Sequence, residues 1–170
     1  MLVKSRALSP AAVLVPILTT GDAPQMILLK RASGLRNHPG QIAFPGGKVD
    51  PGDISAEAAA LREAREEIGL PPGAVEILGA LPRHETVTGF SVTPVVGVIG
   101  HPVGLAAEPG ETEEVFTVPL SHVTDPARFA VRSRIWHGRR HVYHTIPYGP
   151  YYIWGATARI LLGLAERWPR

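Results

Sequence analysis

Gly46-Gly-Lys-Val-Asp-Pro-Gly-Asp53, continued by Ile54-Ser-Ala-Glu-Ala-Ala-Ala-Leu-Arg-Glu-Ala-Arg-Glu-Glu-Ile-Gly-Leu70, is the stretch from which the rest of the chain can be read. Its second half has the marks of a helix. Ser55 or Asp53 can cap the start, because a short polar side chain accepts from the free N–H groups of the first turn. Ala56 to Ala60 are strong helix formers. Gly69, followed by Pro71 and Pro72, supplies the stop. At about 100° per residue, Leu61, Ala64 and Ile68 fall on one apolar arc. Glu63, Glu66 and Glu67 fall on the opposite arc.

Carboxylates spaced i, i+3 and i+4 cost a helix roughly 0.2–0.5 kcal/mol per like-charge pair. A bound divalent cation reverses the sign of that interaction, and carboxylate oxygens are hard ligands suited to Mg²⁺ or Mn²⁺. The plain alternative is a solvated face on which Arg62 and Arg65 balance the glutamates. The preceding Phe44-Pro45-Gly46-Gly47 favours the first reading. It reads as a glycine loop that opens towards the helix, and paired glycines allow backbone to approach backbone or ligand closely. Glycine loop followed by acidic helix is an arrangement for holding metal and phosphate together.

These residues resemble the Nudix box: Gly, five residues, Glu, seven residues, Arg-Glu, an aliphatic residue, any residue, Glu-Glu, any residue, Gly and an aliphatic residue. Arg62-Glu63-Ala64-Arg65-Glu66-Glu67-Ile68-Gly69-Leu70 fits the second half, with Ala64 standing in for the aliphatic residue. The first half departs from the pattern. Five residues after Gly47 comes Asp53 rather than Glu, and eight residues rather than seven separate it from Arg62. Asp50 and Glu57 are the other acids able to take that place. The longer spacing resembles the coenzyme A pyrophosphatase branch, as does the upstream series Arg36, Gly40, Phe44-Pro45-Gly46-Gly47. Lys30 after Leu28-Leu29 departs from the threonine usual in that branch.

The resemblance implies an α/β fold, the Nudix-type α/β/α sandwich with a mixed β-sheet, and metal-dependent cleavage of a pyrophosphate bond. Glu63 and Glu67 are then expected to ligate Mg²⁺ or Mn²⁺. Glu66 is expected as a further ligand or as the base that orients water, and Arg62 as the residue that orients the acids. Glu111, with Glu114 as its alternative, is the candidate acid from outside the box. Arg31, Arg36 and His38, with Gly46 and Gly47, are expected to face a polyanionic small-molecule substrate. Coenzyme A or an acyl derivative is the substrate implied. The products would be 4′-phosphopantetheine, or its acyl form, and adenosine 3′,5′-bisphosphate. Another nucleoside diphosphate derivative, such as ADP-ribose, NADH or an oxidised nucleotide, is the second reading. A nucleotide-binding module without turnover is the third; the intact carboxylates argue against it.

At 170 residues, with 45% hydrophobic and 19% charged residues, the whole chain, 1–170, is expected to form a single domain with a sizeable core. The 17 basic and 15 acidic residues leave a net charge of +2, which does not point to a nucleic-acid partner. With no cysteine there is neither a disulfide framework nor a thiol nucleophile. No run approaches the ~18 apolar residues of a membrane span. The opening Met1 to Leu18, with Lys4 and Arg6 before an apolar run broken by Pro16, reads as a leading strand rather than a secretory leader. A cytoplasmic protein is therefore expected, with a homodimer among the assemblies open to it.

Further strands are expected at Gln25–Lys30, in a hairpin with the first, at Val75–Leu81 and Val92–Ile99, and at Val115–Leu120 leading into a short helix. His84-Glu85-Thr86 reads as loop, and Gly100 to Gly110 as an irregular connection. Ala130 to Tyr143 reads as a hairpin turning at Trp136-His137-Gly138-Arg139-Arg140. Its four arginines, Arg132, Arg134, Arg139 and Arg140, form either a solvated basic ribbon or a contact for a substrate phosphate. A closing helix is expected to bury Trp154, Ala158, Leu161, Leu164 and Trp168.

Overall fold

The computed structural model describes residues 7–170. Lys4 and Arg6 of the opening segment lie outside the described residues. Ten strands and three α-helices follow in the order β1 (Ser9–Leu18), β2 (Gln25–Arg31), β3 (Ile42–Ala43), β4 (Gly46–Lys48), α1 (Ala56–Ile68), β5 (Glu76–Ala80), β6 (His84–Glu85), β7 (Phe90–Ile99), β8 (Thr112–Pro119), α2 (Leu120–Val123), β9 (Ala130–Trp136), β10 (Arg139–Thr145) and α3 (Gly155–Arg167).

Strands β1 to β8 form one mixed sheet whose central path runs β3-β2-β1-β7-β5, with β4 on β1, β6 on β7 and β8 on β2. Strand β1 is the axis. It pairs in parallel with all of β7, from Ser9↔Phe90 to Leu18↔Ile99. On its other side it pairs with β4 at Ala11 to Val13 and with β2 only at Ile17 and Leu18. The expected β1–β2 hairpin therefore exists only at its tip. Beyond it the strands diverge, and β2 takes β8 as its main partner. Pro16, which cannot donate to a ladder, lies between the two paired segments of β1.

Side-chain alternation along the sheet builds two cores. On one face Ala12, Leu14, Ile27, Leu29, Val95 and Ile99 pack against Ala59, Ala60, Ala64 and Ile68 of α1. On the other, Val15, Ile17, Met26, Leu28, Phe116 and Val118 pack against Ala158, Leu161 and Leu164 of α3, together with α2. This is an α/β/α sandwich. The small residues of α1 set that helix close against β1, which is what brings its acidic side to the sheet.

Several local expectations are corrected. Gly46-Gly47-Lys48 is a short strand rather than an open loop, and His84-Glu85 is a strand on β7. Both are short segments that pair in register along the long central strands β1 and β7. Leu61 is only half buried. Glu67, assigned by periodicity to the polar arc, is instead buried, at 8% exposure. Trp154 precedes α3 and is half buried, and Trp168 lies beyond its last turn and is exposed, so the buried stripe of α3 is shorter than its sequence period.

Candidate active site

The caps of α1 fix where its carboxylates stand. Ser55 is the N-cap, its Oγ accepting from Ala58 N–H at 3.1 Å. Gly69 closes the other end in the left-handed region at φ 67°, donating to Arg65 O at 3.1 Å, while Leu70 N–H donates to Ala64 O at 3.3 Å. Between the caps the acids grade from core to solvent. The side chain of Glu63 is 16% exposed and that of Glu66 52%.

Arg62 organises the acids. Its Nε and Nη2 donate to the two oxygens of Asp53, each at 3.0 Å, which is the two-pronged geometry that suits guanidinium and carboxylate. Nη1 donates to Glu63 Oε1 at 3.0 Å and to Glu66 Oε2 at 3.3 Å. Nη2 also donates to Lys48 O at 3.2 Å and stands 3.2 Å from Asp50 Oδ2. Of the three candidate acids, Asp53 is the one Arg62 grips with two bonds, while Asp50 stands at the edge and Glu57 is exposed. Asp53 Oδ2 accepts Asp50 N–H at 2.7 Å as well. The Arg62 hydrogen bond, then that N–H, holds the Asp53 carboxyl below its usual range. Arg62 in turn is locked in its charged form, first by its hydrogen bond to Asp53.

Glu67 is the exception. Its Oε2 accepts only a long bond from Gly46 N–H, at 3.4 Å. Burial, then the charge of Glu63 and a hydrogen bond with it, pushes Glu67 up to about 8, against the weaker pull of Gly46 N–H and the Arg31 charge. Neither glycine has room for a side chain, Gly47 because of the acidic helix and Gly46 because of β1. A Cβ on Gly47 would lie 2.6 Å from Glu63 Oε1, and one on Gly46 2.5 Å from Ala12 O. The upstream segment and the acidic helix thus form one surface.

Arg31 ends β2, and its charge pulls weakly on Glu67. One nitrogen, Nη2, donates to Asn37 O at 3.1 Å, while Nε is buried without a partner. The excursion from Arg31 to Gln41 returns on itself, with Arg31 N–H bonded to Gln41 O and Gly40 N–H to Arg31 O. Arg36 and His38 ride exposed on it, His38 at φ 51°. Glu111 is exposed, but its connection is anchored: Glu108 N–H donates to Glu67 O and Ala32 N–H to Glu111 O. Glu114 points elsewhere and accepts the Tyr151 hydroxyl. The 108–111 turn on the end of α1 was not foreseen, because nothing in its Pro/Gly-rich sequence marks a partner.

Among the described residues no three His, Cys, Asp or Glu side chains converge on one point. The acids are drawn instead onto Arg62 and Gly46. The donor set nevertheless fits a hard divalent cation. It offers only oxygens, and Glu67 is a buried carboxylate with too little positive charge beside it.

A family model described as NUDIX domain matches residues 8–144. The chain belongs to the Nudix family. A Nudix hydrolase NudL of Enterobacter sp. (strain 638), itself described as uncharacterized, is 46% identical over 155 residues, covering 91% of this chain and 80% of that protein. Among solved structures, a Caenorhabditis elegans Ap4A hydrolase binary complex has a TM-score of 0.56 at 22% identity, covering 65% of this chain and 80% of its own. A MutT/nudix family protein from Enterococcus faecalis has a TM-score of 0.58 at 20% identity, covering 98% of this chain and 64% of its own. These two likenesses concern the Nudix fold. The relative and the family model together support a Nudix hydrolase.

Proposed function

We propose that this Nudix hydrolase cleaves the pyrophosphate bond of coenzyme A or an acyl-coenzyme A. The contact between its two motifs carries the reading. The Arg36-to-Gly47 segment that resembles the coenzyme A pyrophosphatase branch touches the acidic helix directly, at Gly46–Glu67 and Gly47–Glu63.

In this mechanism Glu63, Glu66 and Glu67 would hold Mg²⁺ or Mn²⁺, with Glu111 as the acid supplied from the anchored connection. When bound, the metal would neutralise phosphoryl oxygens and lower the pKa of a coordinated water. Arg62 fixes the directions of the carboxylates through Asp53, as supporting residues do for ligands. Glu66, the most exposed of the three glutamates, orients water and accepts its proton. Arg31 and the backbone at Gly46 and Gly47 face the phosphates, and Arg36 and His38 extend the grip from the returning loop. Water adds to one phosphorus, the bridging P–O bond breaks, and the products are 4′-phosphopantetheine and adenosine 3′,5′-bisphosphate with release of a proton.

The substrate is a small molecule, neither nucleic acid nor membrane. No helix among the described residues is long and apolar enough to cross a membrane. We place the enzyme in the cytoplasm, where coenzyme A is used, and treat residues 1–170 as one catalytic unit. Steady-state kinetics with millimolar Mg²⁺ on coenzyme A, ADP-ribose and NADH test the reading. The highest kcat/KM is expected on coenzyme A; a higher value on ADP-ribose or NADH would make the Arg36-to-Phe44 segment a structural loop.

A further inference from the structure

The ribbon of β9 and β10 takes no part in the site described above and forms a sheet of its own. Its register divides its side chains cleanly. Arg132 faces Tyr143, Arg134 faces His141 and Trp136 faces Arg139, so one face carries three arginines among aromatic rings. The other face carries Val131, Ile135 and Val142 together with Ser133, Arg140 and His144. The cationic face turns towards the segment ahead of α3. Arg134 Cζ lies 4.6 Å from the centre of the Trp154 ring. The Tyr143 and Trp154 rings meet edge to face at 5.2 Å, and the Tyr152 ring lies at 6.4 Å from Trp154. The Thr145↔Trp154 bridge fixes this junction in the backbone.

Three features depart from ordinary packing. Tyr152 leaves 48% of its surface open. Arg132, Arg134 and Arg139 form no ion pair among the described residues, where every pairing cation is Lys30, Arg62 or Arg128. The junction is also tied to the frame of the active site. Tyr151 donates to Glu114, whose neighbour across the sheet is Lys30, next to Arg31. Thr157 Oγ1 donates to Ile42 O at 3.0 Å, two residues ahead of Phe44.

The open face of Tyr152, beside guanidinium groups that have no acidic partner among the described residues, suits a planar heterocycle bearing phosphate. Rings stack on aromatic side chains and on arginine, and guanidinium takes phosphate with two parallel bonds. We propose that Tyr152, backed by Trp154, stacks the adenine of the substrate while Arg132 and Arg134 take the phosphate on its ribose, so that the ribbon distinguishes 3′-phosphorylated adenosine from its unphosphorylated counterpart. The identity of that ligand rests on the functional reading above.

The test separates the two. Adenosine 3′,5′-bisphosphate and adenosine 5′-monophosphate are titrated into metal-free protein and followed by calorimetry. The wild type binds the bisphosphate about tenfold or more tightly, as charge-assisted phosphate bonds imply. Arg132→Ala, and Arg132→Ala combined with Arg134→Ala, reduce that ratio towards one, whereas Tyr152→Leu weakens both ligands. In turnover, the arginine variants lose about tenfold more kcat/KM on coenzyme A than on dephospho-coenzyme A. Equal affinity of the wild type for both nucleotides overturns the proposal, as does a preference that survives in folded Arg132→Ala protein. If the binding preference is present but NADH is the better substrate, the ribbon's role stands and the assignment of the cleaved molecule fails.

Discussion

Replacing Glu67 by Gln should remove a pH-dependent weakness of the metal-free protein. Glu67 titrates near 4.5 when unfolded and is pushed to about 8 in the fold, first by burial and then by Glu63. Its folded value is the higher one, so the folded state binds more protons between the two. Stability is therefore greatest at low pH in this window and falls as pH rises through it, the reverse of an ion-paired carboxylate. One pKa unit corresponds to about 1.4 kcal/mol, so the loss from about pH 5.5 to about pH 7.5 is roughly 2 kcal/mol. For a chain of this size that is about 4–8 °C in Tm. His84 works in the opposite direction, because burial and then Arg159 hold its imidazole below its usual pKa. Scanning calorimetry of wild type and Glu67→Gln in chelator isolates the Glu67 contribution as the difference between the two curves. The stability advantage of the variant over the wild type should grow by roughly 2 kcal/mol across this window as pH rises. Millimolar Mg²⁺ should restore the wild type but not the variant. Equal slopes for the two proteins would refute the claim that Glu67 is a buried, undercompensated carboxylate.

Other outcomes follow from the same geometry. Glu66→Gln should lower kcat on coenzyme A about a hundredfold or more with Tm nearly unchanged, since this half-exposed side chain supports little packing; a near-wild-type rate removes it from the chemistry. Arg62→Lys keeps the charge but not the two-pronged grip on Asp53, and should cost about ten- to a hundredfold in apparent Mg²⁺ affinity or in kcat. Gly47→Ala forces Glu63 aside and should reduce turnover with an unchanged circular dichroism spectrum, whereas Gly46→Ala meets the β1 backbone and should cost about 1–3 kcal/mol in urea unfolding. Thr157→Val leaves Ile42 O without its donor inside the core and should cost about 1–2 kcal/mol.

The helix at the heart of the site was legible because its signals are local. Ser55, the alanines and Gly69 each act within one turn, and the structure uses each as its chemistry suggests. The strands at β1, β2, β5, β7 and β8 were legible for the same reason. Pairing was not, since apolar alternation marks a strand without naming its neighbour, and β1 takes distant β7 rather than adjacent β2 along most of its length. Periodicity also misplaced Glu67. A helix wheel reports direction but not how far a neighbouring sheet extends, and β4 with Gly46 covers what would otherwise be solvent. Which of Asp53, Asp50 and Glu57 Arg62 grips could not be read from sequence, because a loop of variable length can present any of the three to it. The ribbon's arginines could be counted in sequence, but only the structure shows three of them sharing a face with Tyr143, with Arg134 over the Trp154 ring.

The most direct test of the central claim is to incubate the purified protein with coenzyme A, with and without Mg²⁺, and to weigh the products. The account predicts 4′-phosphopantetheine and adenosine 3′,5′-bisphosphate in equal amounts, formed only with the metal and almost abolished in Glu66→Gln. Intact coenzyme A after prolonged incubation, or loss of the 3′-phosphate alone, would contradict it.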